Sequence, residues 1–181
     1  MKYKLTIRKY LRKYLLGIFI SFSTIIILIF FAEIIIRLAY PWFKNYDLEM
    51  WRYAAYAKKV SDHLLISHQH RPNSYFKDLY GVEVKINSKG LRDYEYTYNK
   101  SKDVYRILVL GDSITFGWGV NFNDTFCKVL EKNLNDSRHP LRHPLRHPIR
   151  YEVINSGVGN YQLLEELNYL KIEGLKYKPD Y

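Results

Sequence analysis

Tyr105-Arg-Ile-Leu-Val-Leu-Gly-Asp-Ser-Ile-Thr-Phe-Gly-Trp-Gly119 decides the fold. Its first six residues form a nearly continuous apolar run that stops at Gly111, the pattern of a strand buried on both faces of a parallel sheet. Ser113 falls just past the end of that strand, where open α/β sheets place their sites. Downstream, Thr125 to Leu134 has the spacing of a helix, with residues 126, 130 and 134 on one face and Asn123 and Asp124 as N-caps. Tyr151-Glu-Val-Ile154 is a second strand. Tyr161 to Glu173 is a second helix, carrying Leu163, Leu164, Leu167 and Leu170 and stopped by Gly174. Strand, helix, strand, helix at these lengths predicts right-handed βαβ units and an α/β domain. The sequence ends at Lys178-Pro-Asp-Tyr181, where a third strand is expected. Two strands and two helices are a small core, so residues 105–181 are expected to be the front part of a larger domain.

Upstream of this stretch, residues 39–104 read as a connector with one strand. Leu48, Trp51, Ala55, Val60 and Leu64 have helical spacing and predict a connector helix over 48–65, broken at Arg71-Pro72. Gly81 to Asn87 alternates at period two, the pattern of a half-buried strand, and Asn87-Ser-Lys-Gly90 is a turn.

The amino terminus has a different composition. Residues 1–13, a basic tail, hold Lys2, Lys4, Arg8, Lys9, Arg12 and Lys13 and no acid. Leu15 to Ala32 then carries no charge, and the apolar stretch resumes after Glu33 to about Leu38. A bilayer core of roughly 30 Å needs about 20 helical residues, so residues 14–38 are long enough for a transmembrane anchor in a lipid bilayer. Tyr40 and Trp42 follow at the position of an interfacial aromatic belt. A cleaved signal peptide would have a shorter apolar core and a small-x-small site, which Ala32-Glu33-Ile34 does not supply. Basic residues before the span outnumber Arg37 and Lys44 after it, so the amino terminus is expected in the cytoplasm. The domain is then expected to be periplasmic or extracellular.

The chain has 181 residues, 28 Lys+Arg and 18 Asp+Glu, a net charge of +10. The basic tail and Arg138, Arg142, Arg146 and Arg150 account for the whole excess. No basic stripe is left for nucleic acid on the rest of the chain. The last four arginines belong to an Arg-His-Pro repeat over 138–150. A proline every fourth residue there predicts an extended surface loop. No carboxylate or cysteine lies within the repeat to join His139, His143 and His147, so no metal site is expected there, and no cofactor is implied. His63, His68 and His70 carry no motif. The single cysteine, Cys127, excludes an intramolecular disulfide. Its place in a predicted helix suggests a buried, inert thiol.

Gly111-Asp112-Ser113-Ile114 resembles the first block of the SGNH/GDSL hydrolases. Val153-Ile-Asn-Ser-Gly-Val-Gly-Asn-Tyr161 resembles their second, a strand followed by an Asn-x-Gly turn. Each block follows a buried strand. Asn87-Ser-Lys-Gly-Leu-Arg92 matches a segment that often precedes the domain in membrane-anchored bacterial members. The resemblance spans roughly residues 71–181. It implies a truncated, flavodoxin-like, three-layer parallel-sheet domain preceded by one transmembrane helix. It also implies a serine hydrolase or acyltransferase acting on acyl esters. Ser113 would be the nucleophile and an oxyanion N–H donor, and Gly157 a second N–H donor, with Asp112 and Asn155 in support. No third-block Gly-x-Asn-Asp and no Asp-x-x-His follows the second block; the Asp136-x-x-His139 at the start of the repeat precedes that block. The chain alone is therefore expected to have little esterase activity. O-acylated glycans or lipids are the substrates that the expected location suggests. The competing expectation is a non-catalytic, membrane-anchored interaction module.

Overall fold

The computed structural model describes residues 2–40, 45–136 and 149–181. Trp42 and the repeat histidines His139, His143 and His147 lie outside the described residues. The chain divides into two compact units, Met1–Asn45 and Tyr46–Tyr181.

In the first unit, helix α1 (Lys2–Ala39) runs for 38 residues, about 57 Å at 1.5 Å per residue. The helix extends back through the basic tail. Tyr10–Ala39 is long and apolar enough to cross a membrane, and none of its most apolar window is buried within the protein. Its polar groups find local partners. The Thr24 hydroxyl donates to the Ile20 carbonyl at 2.9 Å. Glu33, the one acid of the helix, meets Arg37 one turn later at 2.6 Å, which reduces the cost of an isolated carboxylate in an apolar span.

In the second unit, β5 (Val104–Val109) and β6 (Arg150–Asn155) pair in parallel, in register from Val104↔Arg150 to Val109↔Asn155. Between them lies α4 (Phe126–Asn135), and α5 (Leu163–Ile172) follows β6. Strand residues alternate between two cores. Ile107, Val109, Tyr151 and Val153 pack with Cys127 and Leu134 of α4. Leu108 and Ile154 pack with Tyr161, Tyr169 and Tyr177, joined by Leu170 and Ile172 of α5. Such alternation marks strands covered on both faces.

The run is not wholly apolar inside. Arg106 Nε donates to Glu152 Oε2 at 2.7 Å, and both side chains are buried. A buried pair is tolerated when its remaining donors are satisfied, and Arg106 Nη1 donates to the carbonyls of Thr97 and Tyr177. β6 uses odd-numbered carbonyls of β5 or its flank, as in Arg150 N–H to Asp103 O and Ser156 N–H to Val109 O. The even-numbered groups face the other edge, where Leu108 N–H donates to Tyr181 O at 2.9 Å and Asp180 N–H to Arg106 O at 2.8 Å. Residues 180 and 181 thus run along β5 where a third strand was expected.

The stretch before β5 is more structured than its sequence suggests. Helix α2 (Tyr46–Arg52) passes into a π-helical turn at Tyr53–Ala57. The expected helix over 48–65 ends there, because Lys58 turns extended and enters a strand. The buried positions are Glu49, Tyr53 and Ala57, whereas Leu48, Trp51 and Leu64 are exposed. The apolar stripe read from sequence is therefore not the packed face. β1 (Lys58–Val60) pairs antiparallel with β2 (His68–His70), and β3 (Tyr75–Leu79) with β4 (Val82–Lys85). Tyr53, Ala57, Leu79, Val84 and Ile86 form one core with Phe116. The upstream stretch thus closes directly on the segment after β5.

Candidate functional site

Ser113 opens α3 (Ser113–Phe116), a single helical turn. A helix this short does not hold itself together, so its ends need partners. At the front, the Asp112 carboxylate accepts the Ile114 N–H at 2.9 Å, capping the turn. Gly111 has φ +156°, and a Cβ there would lie 2.0 Å from Thr115 Oγ1. At the back, Arg92 is 2% exposed and donates to the carbonyls of Phe116, Gly117 and Val120 at 3.0, 2.6 and 2.7 Å. Burial lowers its pKa to about 10. Ser113 itself is half-buried, and its hydroxyl has no hydrogen-bond partner among the described residues.

The second motif prolongs β6. Ser156 N–H donates to Val109 O and Val158 N–H to Gly111 O, both at 3.0 Å, extending the ladder past the ends of both strands. This brings Gly111-Asp112-Ser113 and Asn155-Ser156-Gly157 side by side at the carboxyl end of the parallel pair. Asn155 is 1% exposed and fully engaged. Its N–H donates to Asp93 Oδ2 at 2.7 Å, its Nδ2 to Thr115 O at 2.7 Å, and its Oδ1 accepts the Gly157 N–H at 3.0 Å. Asp93 is held in turn by Lys128 of α4 at 2.7 Å.

The Gly157 N–H closes an Asx turn on Asn155 Oδ1, and a Cβ on Gly157 would lie 2.2 Å from Phe116 N. The glycine lets the turn press on the backbone of α3. Its neighbours' amides are accounted for as well. Ser156 and Val158 bond the first motif, Gly159 N–H donates to Tyr53 Oη at 2.9 Å, and Tyr161 N–H to Val158 O at 3.1 Å. Asn160, exposed and at φ +70°, holds the one amide of 156–161 without an acceptor among the described residues.

Three side chains from the upstream stretch converge on Gly159 with a fourth behind them, and sequence reading gave none of them a role. Lys58 Nζ lies 2.5 Å from Gly159 O and 2.9 Å from Asn160 Oδ1. His68 Nε2 lies 3.0 Å from the same carbonyl. Behind them, Tyr53 Oη accepts the Gly159 N–H and lies 2.6 Å from His70 Nε2, while His70 Nδ1 lies 2.9 Å from Gly90 O. A carbonyl can only accept, so His70 carries its proton on Nδ1 and takes the Tyr53 proton at Nε2. Burial pushes His70 down to about 4 and Lys58 down to about 8, Glu165 opposing the latter. Burial also lowers His68 and raises Tyr53. At neutral pH both imidazoles are uncharged and both are committed, so neither is placed as a base for Ser113.

Cys127 is fully buried and its thiol is pushed up to about 12 by burial, as an inert side chain would be. Among the described residues, no three His, Cys, Asp or Glu side chains are grouped as a metal site requires.

Compared with known proteins, the chain matches no family model and no curated protein.

Proposed function

We propose that this chain carries the nucleophile and oxyanion side of a membrane-anchored, SGNH/GDSL-type serine ester hydrolase or acyltransferase. The observation that carries the reading is the pair of hydrogen bonds from Ser156 and Val158 to Val109 and Gly111. They set the two family-like blocks against each other with a half-buried, unbonded serine hydroxyl beside them. Helices α4 and α5 on opposite faces of β5 and β6 support the three-layer, flavodoxin-like reading of the domain.

In this reading Ser113 Oγ attacks the ester carbonyl carbon, its proton passes to a base, and the alcohol leaves as the acyl group stays on Oγ. Water or an acceptor hydroxyl then takes the acyl group. Charge develops on the carbonyl oxygen, and a donor placed for it contributes roughly 2.7–4 kcal/mol. The N–H groups of Ser113 and Gly157 are candidate donors, joined by that of Asn160, which has no acceptor among the described residues. No described side chain is placed as a base for Ser113, so turnover by these 181 residues is expected to be slow. The lipid bilayer holds the chain through α1. Acyl esters of glycans or lipids outside the cytoplasm are the proposed substrates.

The test is trapping of the full chain, in detergent micelles, with a fluorophosphonate. Adduct mass at Ser113, lost in Ser113→Ala, is the expected result. No adduct on a folded sample would overturn the reading in favour of a non-catalytic anchored module.

A further inference from the structure

The peptide joining Gly159 to Asn160 is held from one side only. It is planar and trans, so its carbonyl and its N–H point in opposite directions. The carbonyl accepts from Lys58 Nζ and from His68 Nε2, both reaching it from the β1–β2 hairpin. The His68 nitrogen facing a carbonyl must carry the proton, so the uncharged ring serves as a donor. Lys58 also fixes the Asn160 side chain through Oδ1, stabilising a left-handed backbone that Asn adopts more readily than most residues. With the carbonyl held by these two donors, the N–H on the other side of the plane has no acceptor among the described residues.

From this geometry we infer that Lys58 and His68 are positioning residues that aim and polarise the Asn160 amide as a donor to a developing negative charge. An ammonium on the carbonyl draws electron density through the amide resonance and makes the N–H of the same peptide a stronger donor. The inference rests on the acyl-transfer reading for the use of that amide, but not for the coupling itself. Lys58 faces Glu165 of α5, His68 and His70 of β2 and the Tyr53 ring at 4.6 Å, and no other charged group among the described residues lies against it. Its ammonium discharges near pH 8, where the polarisation falls.

Gly159-Asn160 is the one Gly-Asn pair in the sequence. Labelling the full chain with [1-13C]glycine and [15N]asparagine therefore gives a single carbon-detected peptide signal, in micelles, with no assignment step. That signal is expected to shift with an inflection near pH 8. The inflection is expected to vanish in Lys58→Met and, in Lys58→Arg, to leave the accessible pH range while the low-pH position is kept. His68→Phe is expected to displace the signal at all pH values. In parallel, fluorophosphonate labelling of Ser113 is expected to slow about tenfold in Lys58→Met and to recover in Lys58→Arg. A signal indifferent to Lys58→Met, or Ser113 labelled equally fast in wild type and Lys58→Met, would overturn the inference and leave the acyl-transfer reading standing. A signal that follows Lys58 beside an unreactive wild-type Ser113 upholds the coupling and removes the acyl-transfer reading instead.

Discussion

His70 shows how one buried titratable residue couples the second motif to the rest of the fold. Its ring passes the Gly159–Tyr53 hydrogen bonds on to the Gly90 carbonyl. Protonation at Nε2 would face the Tyr53 hydroxyl with a second donor and break the relay. The folded state holds His70 at about 4, against an ordinary value of 6.5. Above pH 6.5 neither state binds the proton and the contribution is complete. Between 6.5 and 4 the unfolded chain binds it and the folded chain does not, so stability falls with pH. Two and a half pH units correspond to about 3 kcal/mol. We expect urea unfolding of the full chain to lose about that much more stability between pH 7 and pH 4 than His70→Gln does. The wild type and the variant share His68 and the carboxylates, so these largely cancel. Parallel pH profiles would remove His70 from the account.

At the scale of elements, α3 exists because other elements hold it. Asp112 caps its start, Arg92 collects its last carbonyls, and Asn155 ties Thr115 to the end of β6. Gly157 is where β6 and α3 touch backbone to backbone. A methyl group 2.2 Å from Phe116 N cannot be relieved by rotating a side chain, so Gly157→Ala must displace the whole turn. We expect a loss of at least about 2 kcal/mol in denaturant unfolding and disordered fluorophosphonate labelling. Gly17→Ala, with nothing within 4 Å of the added carbon, should leave both unchanged. Neutral behaviour at Gly157 would show that the motifs are not in contact.

These elements were unequally legible in the sequence. β5, β6, α4 and α5 announce themselves through contiguous apolar residues or helical spacing, and their observed bounds lie within two residues of the expected ones. The motif residues were legible for the same local reason. The grip on Gly159 was not, because Lys58 sits 101 residues away from it and only tertiary folding brings the two together. The face of α2 misled for a related reason. Tyr53 and Glu49 are buried by partners far along the chain, Gly159 for one and Tyr80 N–H for the other, and helical spacing carries no trace of them. The Asn87–Arg92 segment was a signal whose content stayed hidden until Arg92 was seen capping α3.

For the whole molecule, the decisive quantity is the exposed apolar surface of α1. Ile18, Phe19, Ile29, Phe30 and Ile35 are each more than 60% exposed, along 30 residues that no described residue of their own unit covers. A soluble protein rarely exposes a contiguous patch of that size, whereas a bilayer removes all of it from water. The helix can be inserted in either direction, and the six basic residues before Tyr14 bias which end stays inside. The domain should then face away from the cytoplasm. Ser101 is exposed, and Cys127 is buried too deeply to compete, so Ser101→Cys reports the side of the membrane. A membrane-impermeant maleimide should label it in intact cells with an unpermeabilised inner face. Replacing Lys2, Lys4, Arg8, Lys9, Arg12 and Lys13 with glutamine should lower that labelling by weakening the bias. Labelling that appears only after permeabilisation would place the domain on the cytoplasmic side, and acyl esters of exterior glycans or lipids would cease to be candidate substrates.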